Sequence, residues 1–152
     1  MPTSVINPKA DSFEEARRSF SWQVPGDFNM ASAVCDRYAG KSSATALLCE
    51  TSAGQTTRYT FGDLSLLSNR LANAFQNVGV QAGDRVAIIL PQRVETGLCH
   101  LAAWKMGAVS LPLSVLFGTD ALQYRLQDSG ARIAVCSKEG FDRVQSLRAE
   151  LP

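Results

Sequence analysis

The sequence predicts an α/β fold with N-terminal helices, a β-hairpin and then a βαβαβα unit on a parallel sheet. Three short, largely apolar runs lie at 85–90, 108–113 and 133–136, and they lack the alternation of a half-exposed strand. The stretches between these runs have the three- and four-residue spacing of amphipathic helices. Strands that alternate with helices in this way form parallel sheets with right-handed crossovers.

Residues 1–40 are expected to form a helical segment. A helix is predicted over 11–22, where charged residues form one face and aromatic side chains are available for packing. The Pro25-Gly26 pair then breaks the chain, as such pairs do. Asn29 is placed to cap a second helix that runs to about Ala39.

Residues 41–60 are expected to form a hairpin. The apolar run 44–50 predicts one strand, and 58–60 predicts a return strand after a polar turn. Thr60 and Asp63 have the spacing of a capping box, so a helix should begin at Thr60 and continue to about Val78.

Residues 61–152 are expected to form the parallel α/β unit. After each apolar run a helix is predicted, at about 94–106, 120–128 and 140–150. Asp120 should cap the middle one of these three helices. Taken together, the chain 1–152 is expected to form a single domain.

Composition excludes several classes of protein. The chain has 152 residues, and 15 Lys and Arg against 14 Asp and Glu leave a net charge of +1, which argues against a nucleic-acid-binding protein. Charged residues interrupt every apolar run before membrane-spanning length, and the first twenty residues have no signal-peptide pattern. We therefore expect a cytoplasmic protein with no membrane or nucleic-acid partner.

The residues that commonly carry chemistry are sparse. The four cysteines form no CxxC pair and there is one histidine, so no metal site is predicted and the thiols are expected to be reduced and buried. Cys99 and His100 are adjacent, and neighbours on a helix point in different directions, so they are not expected to act as a nucleophile and base. No catalytic residue is predicted.

Two segments have a phosphate-binding composition without its context. Gly40-Lys41-Ser42 matches the end of a Walker A loop, but a predicted helix precedes it and a strand follows, which is the reverse of the required order. The segment 51–57 is rich in hydroxyls and contains one glycine, but it has no lysine. Both are interpreted as polar turns.

Three long segments carry a family resemblance. They are YTFGDLSLLSNRLANAF at 59–75, GVQAGDRVAIILPQRVE at 79–95 and AAWKMGAVSLPLSVLFGTDALQYRLQDSGARIAV at 102–135. Their order and spacing resemble the AMP-forming acyl-CoA synthetases of the adenylate-forming superfamily. The resemblance begins at about Trp22 and is greatest to the ligases that activate acetate, medium-chain acids or aromatic acids.

The resemblance implies an acid–thiol ligase that uses ATP, Mg²⁺ and CoA, and a role in fatty acid metabolism. In this family the phosphate-binding loop, the nucleotide contacts and a catalytic lysine follow the segments that match here. The chain is therefore expected to be an N-terminal fragment of the large domain that binds no cofactor and is inactive alone. Its uncovered apolar face is expected to favour self-association. The alternative is a stand-alone α/β domain with a binding or structural role.

The resemblance also implies three cofactor-binding residues. Phe117 and Gly118 match a Phe-Gly pair that lies near the pantetheine tunnel in acetyl-activating members. Those members bind the CoA phosphate with arginines after the third strand, where this chain has Asp142 and Gln145 with Arg143 between them. Arg143 is thus a candidate for that contact. The alternative is that Phe117 belongs to the core and that Arg143 is a surface charge.

Overall fold

A computed structural model of the chain describes residues 10–22, 24–40 and 43–151. In these ranges helices and strands follow one another in the predicted order. The elements are α1 (Phe13–Ser19), α2 (a π-helical turn at Ser32–Asp36 followed by an α-helical turn at Arg37–Ala39), β1 (Thr45–Glu50), β2 (Thr56–Thr60), α3 (Phe61–Asn77), β3 (Arg85–Ile89), α4 (Val94–Lys105), β4 (Val109–Pro112), α5 (Thr119–Ser129), β5 (Ile133–Cys136) and α6 (Lys138–Ser146).

The strands form two sheets. β1 and β2 pair antiparallel as the predicted hairpin, with an irregular register between Thr45 and Leu47. The second sheet has the order β4-β3-β5, and both of its pairs are parallel. The predicted α/β class, hairpin and parallel unit are therefore confirmed.

The central strand β3 divides the core into two layers. Side chains alternate across a strand, so Val86 and Ile88 face one side and Ala87 and Ile89 face the other. All four are at most 1% exposed. The first pair packs with side chains of α3, α4 and the turns after them, and the second pair packs with side chains of α5 and the end of α6. The residues buried with the first pair are Phe75, Val80, Cys99, Ala102, Ala103 and Ala108, and those with the second are Leu113, Leu122, Leu126 and Leu147.

The N-terminal helices differ in detail from the prediction. α1 is shorter than 11–22, and Ser12 caps it by accepting a hydrogen bond from the Glu15 amide. Two aromatic side chains assigned to packing are exposed instead, Phe13 at 75% and Trp22 at 76%. Asn29 acts as predicted at the start of α2, where its Oδ1 accepts a hydrogen bond from the Ser32 amide.

Capping residues explain where the later helices begin and end. At α3, Thr60 and Asp63 form the predicted capping box in both directions. At α5 the prediction was wrong, because the N-cap is Gly118 and Asp120 lies inside the first turn. α6 begins earlier than predicted, since the Ser137 hydroxyl accepts a hydrogen bond from the Gly140 amide, and the helix ends at Ser146.

A lysine joins three helices on one side of the molecule. The Lys105 ammonium, at the end of α4, donates to Asp36 Oδ1 at 2.7 Å and to Asn69 Oδ1 at 2.7 Å. It also reaches the Ser65 carbonyl at 3.2 Å, and the Ser65 hydroxyl donates to Asp36. The lysine side chain is 10% exposed and that of Asp36 31%. Lys105 thereby fixes α2 and α3 against α4.

Apolar side chains remain exposed around the parallel sheet. Within the described residues β4 and β5 each pair on one side only, so both are edge strands. Val109 on β4 is 51% exposed, Leu116 after it 89%, and Phe141 beside β5 55%. Tyr124, on α5, is 65% exposed. None of the helices in the described ranges combines the length and apolar character needed to cross a membrane.

Replacing Lys105 tests the three-helix contact. Lys105→Met keeps the apolar stem but removes the charged donor to Asp36 and Asn69. We expect a loss of about 1–2 kcal/mol in the free energy of unfolding, between the values for surface and buried ion pairs. Urea denaturation measures it, with Lys138→Met, at an exposed lysine, as the matched control. An equal effect of the two substitutions would contradict the role of Lys105.

The same contact predicts a pH dependence. Burial raises the pKa of the Asp36 carboxyl, but the hydrogen bonds from Lys105 and Ser65 and the lysine charge outweigh it and hold the pKa below 3.8. Because the folded-state pKa is lowered, the stabilisation is present above pH 3.8 and is lost as the pH falls through the folded-state value. The acid-denaturation curve of Asp36→Asn should lack this loss of stability. A curve equal to that of the natural sequence would contradict the prediction.

Candidate functional site

A crevice opens where the carboxyl ends of β3 and β4 meet. The chain leaves β3 toward α4 on one face of the sheet, and it leaves β4 toward α5 on the other face. Two loops that diverge in this way create the switch point at which open α/β sheets bind ligands. Here the cavity has a volume of about 680 Å³. Fold topology therefore places a candidate binding site at this edge.

The crevice has an apolar floor and a few polar groups on its walls. Ile88, Leu90 and Leu113 contribute apolar surface, and Ser114 and His100 contribute polar groups. Arg93 and Glu95 form an exposed ion pair at 2.6 Å near the mouth. The complete lining is Leu47, Ile88, Leu90, Pro91, Gln92, Arg93, Thr96, Gly97, His100, Pro112, Leu113, Ser114 and Val115.

His100 carries an unsatisfied polar atom in this wall. Its Nδ1 is buried and has no hydrogen-bond partner among the described residues, and its ring lies 5.5 Å from that of Trp104. Burial lowers the pKa of His100 below 6.5. An unpaired buried polar atom is uncommon in folded proteins. No sequence pattern indicates this atom beyond the presence of a single histidine.

Cys99 and His100 do not form a catalytic pair. Cys99 is 1% exposed and packs in the core layer of α3 and α4, whereas His100 faces the crevice. Burial and the nearby Glu95 raise the pKa of the Cys99 thiol to about 11, so it is protonated at neutral pH. All four cysteines are free thiols; Cys35 is also buried, but Cys49 and Cys136 are only half-buried.

The three predicted cofactor-binding residues lie together beside the crevice. Phe117 is half-buried against the core layer of α5 and α6, and Gly118 begins α5. Arg143 extends from α6 and donates from Nη1 to the carbonyl oxygens of Val115 at 2.9 Å and Phe117 at 2.8 Å. Sequence reasoning missed Arg125, whose guanidinium carbon lies 4.2 Å from the centre of the Phe117 ring.

The polar turn 51–57 uses its amides internally. The Thr51 amide donates to the Gln55 carbonyl at 2.9 Å, and the Gly54 amide donates to the Thr51 carbonyl at 2.9 Å. The Gln55 amide donates to the Thr51 hydroxyl at 3.2 Å. These donors are not directed at a ligand, so the interpretation as a hairpin turn is confirmed. Lys41 and Ser42, of the other candidate phosphate segment, lie outside the described residues.

No metal centre is present in the described ranges. Among residues 10–22, 24–40 and 43–151, no three side chains of His, Cys, Asp or Glu come close enough to hold an ion.

The fold and the crevice at its switch point match a known class of enzyme. Residues 35–152, which make up most of the chain, match the model of the AMP-binding enzyme family. The chain belongs to this family. The predicted resemblance to acyl-CoA synthetases is confirmed by the relatives that follow.

Curated relatives are CoA ligases. The acetyl-coenzyme A synthetase of Streptomyces coelicolor is 35% identical over 124 residues, which is 80% of this chain and 19% of that protein. The mitochondrial acyl-coenzyme A synthetase ACSM4 of Rattus norvegicus is 33% identical over 149 residues, or 93% of this chain and 26% of that protein. The chain spans about a fifth to a quarter of the length of these relatives.

Solved structures show the same architecture. The crystal structure of a Brucella canis acyl-CoA synthetase superposes with a TM-score of 0.75 at 34% identity, over 78% of this chain and 22% of that one. The anthranilate CoA ligase AuaEII, in complex with anthranoyl-AMP, gives a TM-score of 0.74 at 25% identity, over 85% of this chain and 24% of that one.

The single histidine allows a direct test of the crevice wall. Proton NMR of the chain should show one imidazole titration, with a midpoint below 6.5, because burial disfavours the charged ring. Since the folded-state pKa is lowered, the stability that depends on the neutral ring is present above pH 6.5 and is lost as the pH falls through the folded-state value. His100→Phe should abolish this pH dependence. A midpoint at or above 6.5 would show that the ring is solvated.

Proposed function

We propose that this chain forms the first part of the large domain of an AMP-forming acid–thiol ligase. The observation that carries the proposal is the match to CoA ligases at 33–35% identity across 80–93% of the chain. The conversion is that of a carboxylic acid, ATP and CoA into acyl-CoA, AMP and pyrophosphate. The proposal includes a cytoplasmic site of action, where the free thiols would stay reduced, and a role in fatty acid metabolism.

The proposed reaction has two steps. A carboxylate oxygen attacks the α-phosphorus of ATP and pyrophosphate leaves, which gives an acyl-adenylate. The CoA thiol then attacks the acyl carbon and AMP leaves. The first step is needed because a carboxylate is a poor electrophile. Both steps require cations and amide donors around the phosphates, to stabilise charge in the transition state.

The described residues supply the framework and one side of the CoA site. We place Phe117, Gly118 and Arg143 on the CoA side, because the loop that contains the first two borders the crevice at the carboxyl ends of β3 and β4. Among the described residues, no cluster of three His, Cys, Asp or Glu side chains could hold Mg²⁺. We assign the contacts of Mg²⁺ and ATP to none of the described residues.

The chain alone is predicted to be inactive toward ATP. A triphosphate needs several convergent donors, and the amides of Thr51, Gly54 and Gln55 already donate to acceptors within the turn 51–57. We expect no saturable rise in melting temperature with Mg-ATP below millimolar concentration, and no pyrophosphate release with any carboxylic acid. A ligand at a hundred times its dissociation constant stabilises by about 2.7 kcal/mol, so the assay is sensitive. A micromolar response that Lys41→Ala or Thr57→Ala abolishes would reveal a phosphate site.

The complete product of the reading frame that contains this chain tests the proposed function. The purified protein should convert at least one acid from a panel of acetate, medium-chain and aromatic acids into acyl-CoA, with one AMP formed per thioester. Omission of CoA should leave pyrophosphate release and an acyl-adenylate. Absence of both products across the panel, from a folded protein, would favour the alternative of a binding or structural domain.

Self-association of the isolated chain is a further prediction. The exposed apolar side chains beside the edge strands β4 and β5 leave surface that water solvates poorly, and unpaired strand edges favour pairing between copies. Light scattering after size-exclusion chromatography should show a mass that rises with concentration. Val109→Lys, at the exposed edge of β4, should lower the association, and Val34→Lys, at a similarly exposed valine on α2, serves as the matched control. A monomer at high concentration would contradict the prediction.

A further inference from the structure

The segment 114–118 is held from behind by an arginine of a later helix. The two hydrogens of one guanidinium nitrogen can each meet one acceptor. In Arg143 they meet the carbonyl oxygens of Val115 and Phe117, at 2.9 and 2.8 Å. Both carbonyls precede α5, and Arg143 lies 26 or more residues further along the chain. This long-range contact fixes the path of the loop.

A second arginine holds the aromatic ring of the same segment. The Arg125 guanidinium carbon lies 4.2 Å from the centre of the Phe117 ring, within the range of a cation–π contact. Its Nη1 donates to the Ala121 carbonyl at 3.0 Å, which keeps the guanidinium in place on α5. Backbone and ring of residue 117 are thus held by two different helices.

The opposite side of this segment forms a wall of the crevice. Ser114 and Val115 line the cavity, while the carbonyl of Val115 bonds to Arg143. A displacement of the arginine therefore changes the shape of the crevice and the start of α5 at Gly118. Within the loop, the Leu116 amide donates to the Ser114 hydroxyl at 3.1 Å and the Phe117 amide donates to the Ser114 carbonyl at 3.2 Å, while the Leu116 side chain is 89% exposed.

We propose that Arg143, assisted by Arg125, is a positioning residue that fixes the Phe117–Gly118 segment for the CoA arm and does not bind the CoA phosphate. This inference rests on the proposed function. Both Nη1 hydrogens of Arg143 are committed to backbone carbonyls, and its Nε donates to the Glu139 carbonyl at 3.4 Å, so Nη2 alone remains for another acceptor. The neighbouring exposed carboxylate of Asp142 also disfavours a phosphate at this position.

Hydrogen exchange of the 152-residue chain tests whether Arg143 holds the loop. This measurement does not require enzymatic activity. In Arg143→Ala the Leu116 and Phe117 amides should exchange about tenfold faster or more, since two hydrogen bonds to a charged donor are lost. The amides of α3 should be unaffected. Gln145→Ala, an exposed position on the same helix, is the matched control. Equal exchange of these loop amides in Arg143→Ala and in the control would overturn the proposal.

Kinetic measurements on the complete gene product test whether the loop held by Arg143 serves the CoA arm. Arg143→Ala should raise the KM for CoA and for dephospho-CoA, which lacks the 3′-phosphate, by the same factor of about ten. The rate of the adenylate step, followed by pyrophosphate exchange, should change less than twofold. Arg143→Lys should lie between, because one ammonium replaces the guanidinium fork less well. Arg125→Ala should raise the KM for CoA and the KM for dephospho-CoA by a similar factor.

Three results would overturn the proposal. The first is a loss confined to CoA, with dephospho-CoA unaffected, which would make Arg143 a phosphate ligand. The second is an equal loss in both half-reactions, which would make its role one of general stability. The third is an unchanged KM for both CoA and dephospho-CoA. A gene product that forms no acyl-CoA with its natural sequence would instead refute the proposed function, and the exchange experiment would still decide whether Arg143 holds the loop.

Discussion

Burial of β3 on both faces and along both edges is the constraint from which the described architecture follows. Its four apolar side chains, at 86–89, are at most 1% exposed, so helices must cover both sides of the sheet. The helix that follows β3 covers one side and the helix that follows β4 covers the other. The divergence of those two connections opens the crevice. The need to bury both faces of β3 thereby places the crevice at the carboxyl ends of β3 and β4.

Long cationic side chains secure this architecture at three places. Arg85, at the start of β3, donates to the carbonyls of Ser129 and Gly130 at the end of α5. Lys105 joins α2 and α3 to α4, and Arg143 joins α6 to the loop before α5. In each case most acceptors belong to segments distant in the chain. At the C-terminal end of α5, where the last carbonyls of a helix lack partners within it, Arg85 satisfies groups that the local backbone cannot.

The elements could be predicted from the sequence because their causes are local. Apolar runs give the buried strands, and the Thr60–Asp63 pair begins α3 through contacts within one turn. The candidate site could be predicted only in part. The family resemblance indicated Phe117, Gly118 and Arg143. Their proximity depends on a hydrogen bond between residues that lie 26 positions apart in the chain. The crevice, the orphaned nitrogen of His100 and the ring contact of Arg125 arise from tertiary packing, which leaves no periodic signal.

The central place of β3 also affects how the chain is made. Ribosomes add about 5–20 residues per second, so β4 follows β3 after roughly 1–4 s and β5 after roughly 2–9 s. During that interval α3, already synthesised, can cover Val86 and Ile88. The face that bears Ala87 and Ile89 must wait for α5 and α6. A nascent chain thus exposes one apolar face of a single strand for seconds, and that face is where a holding chaperone would bind.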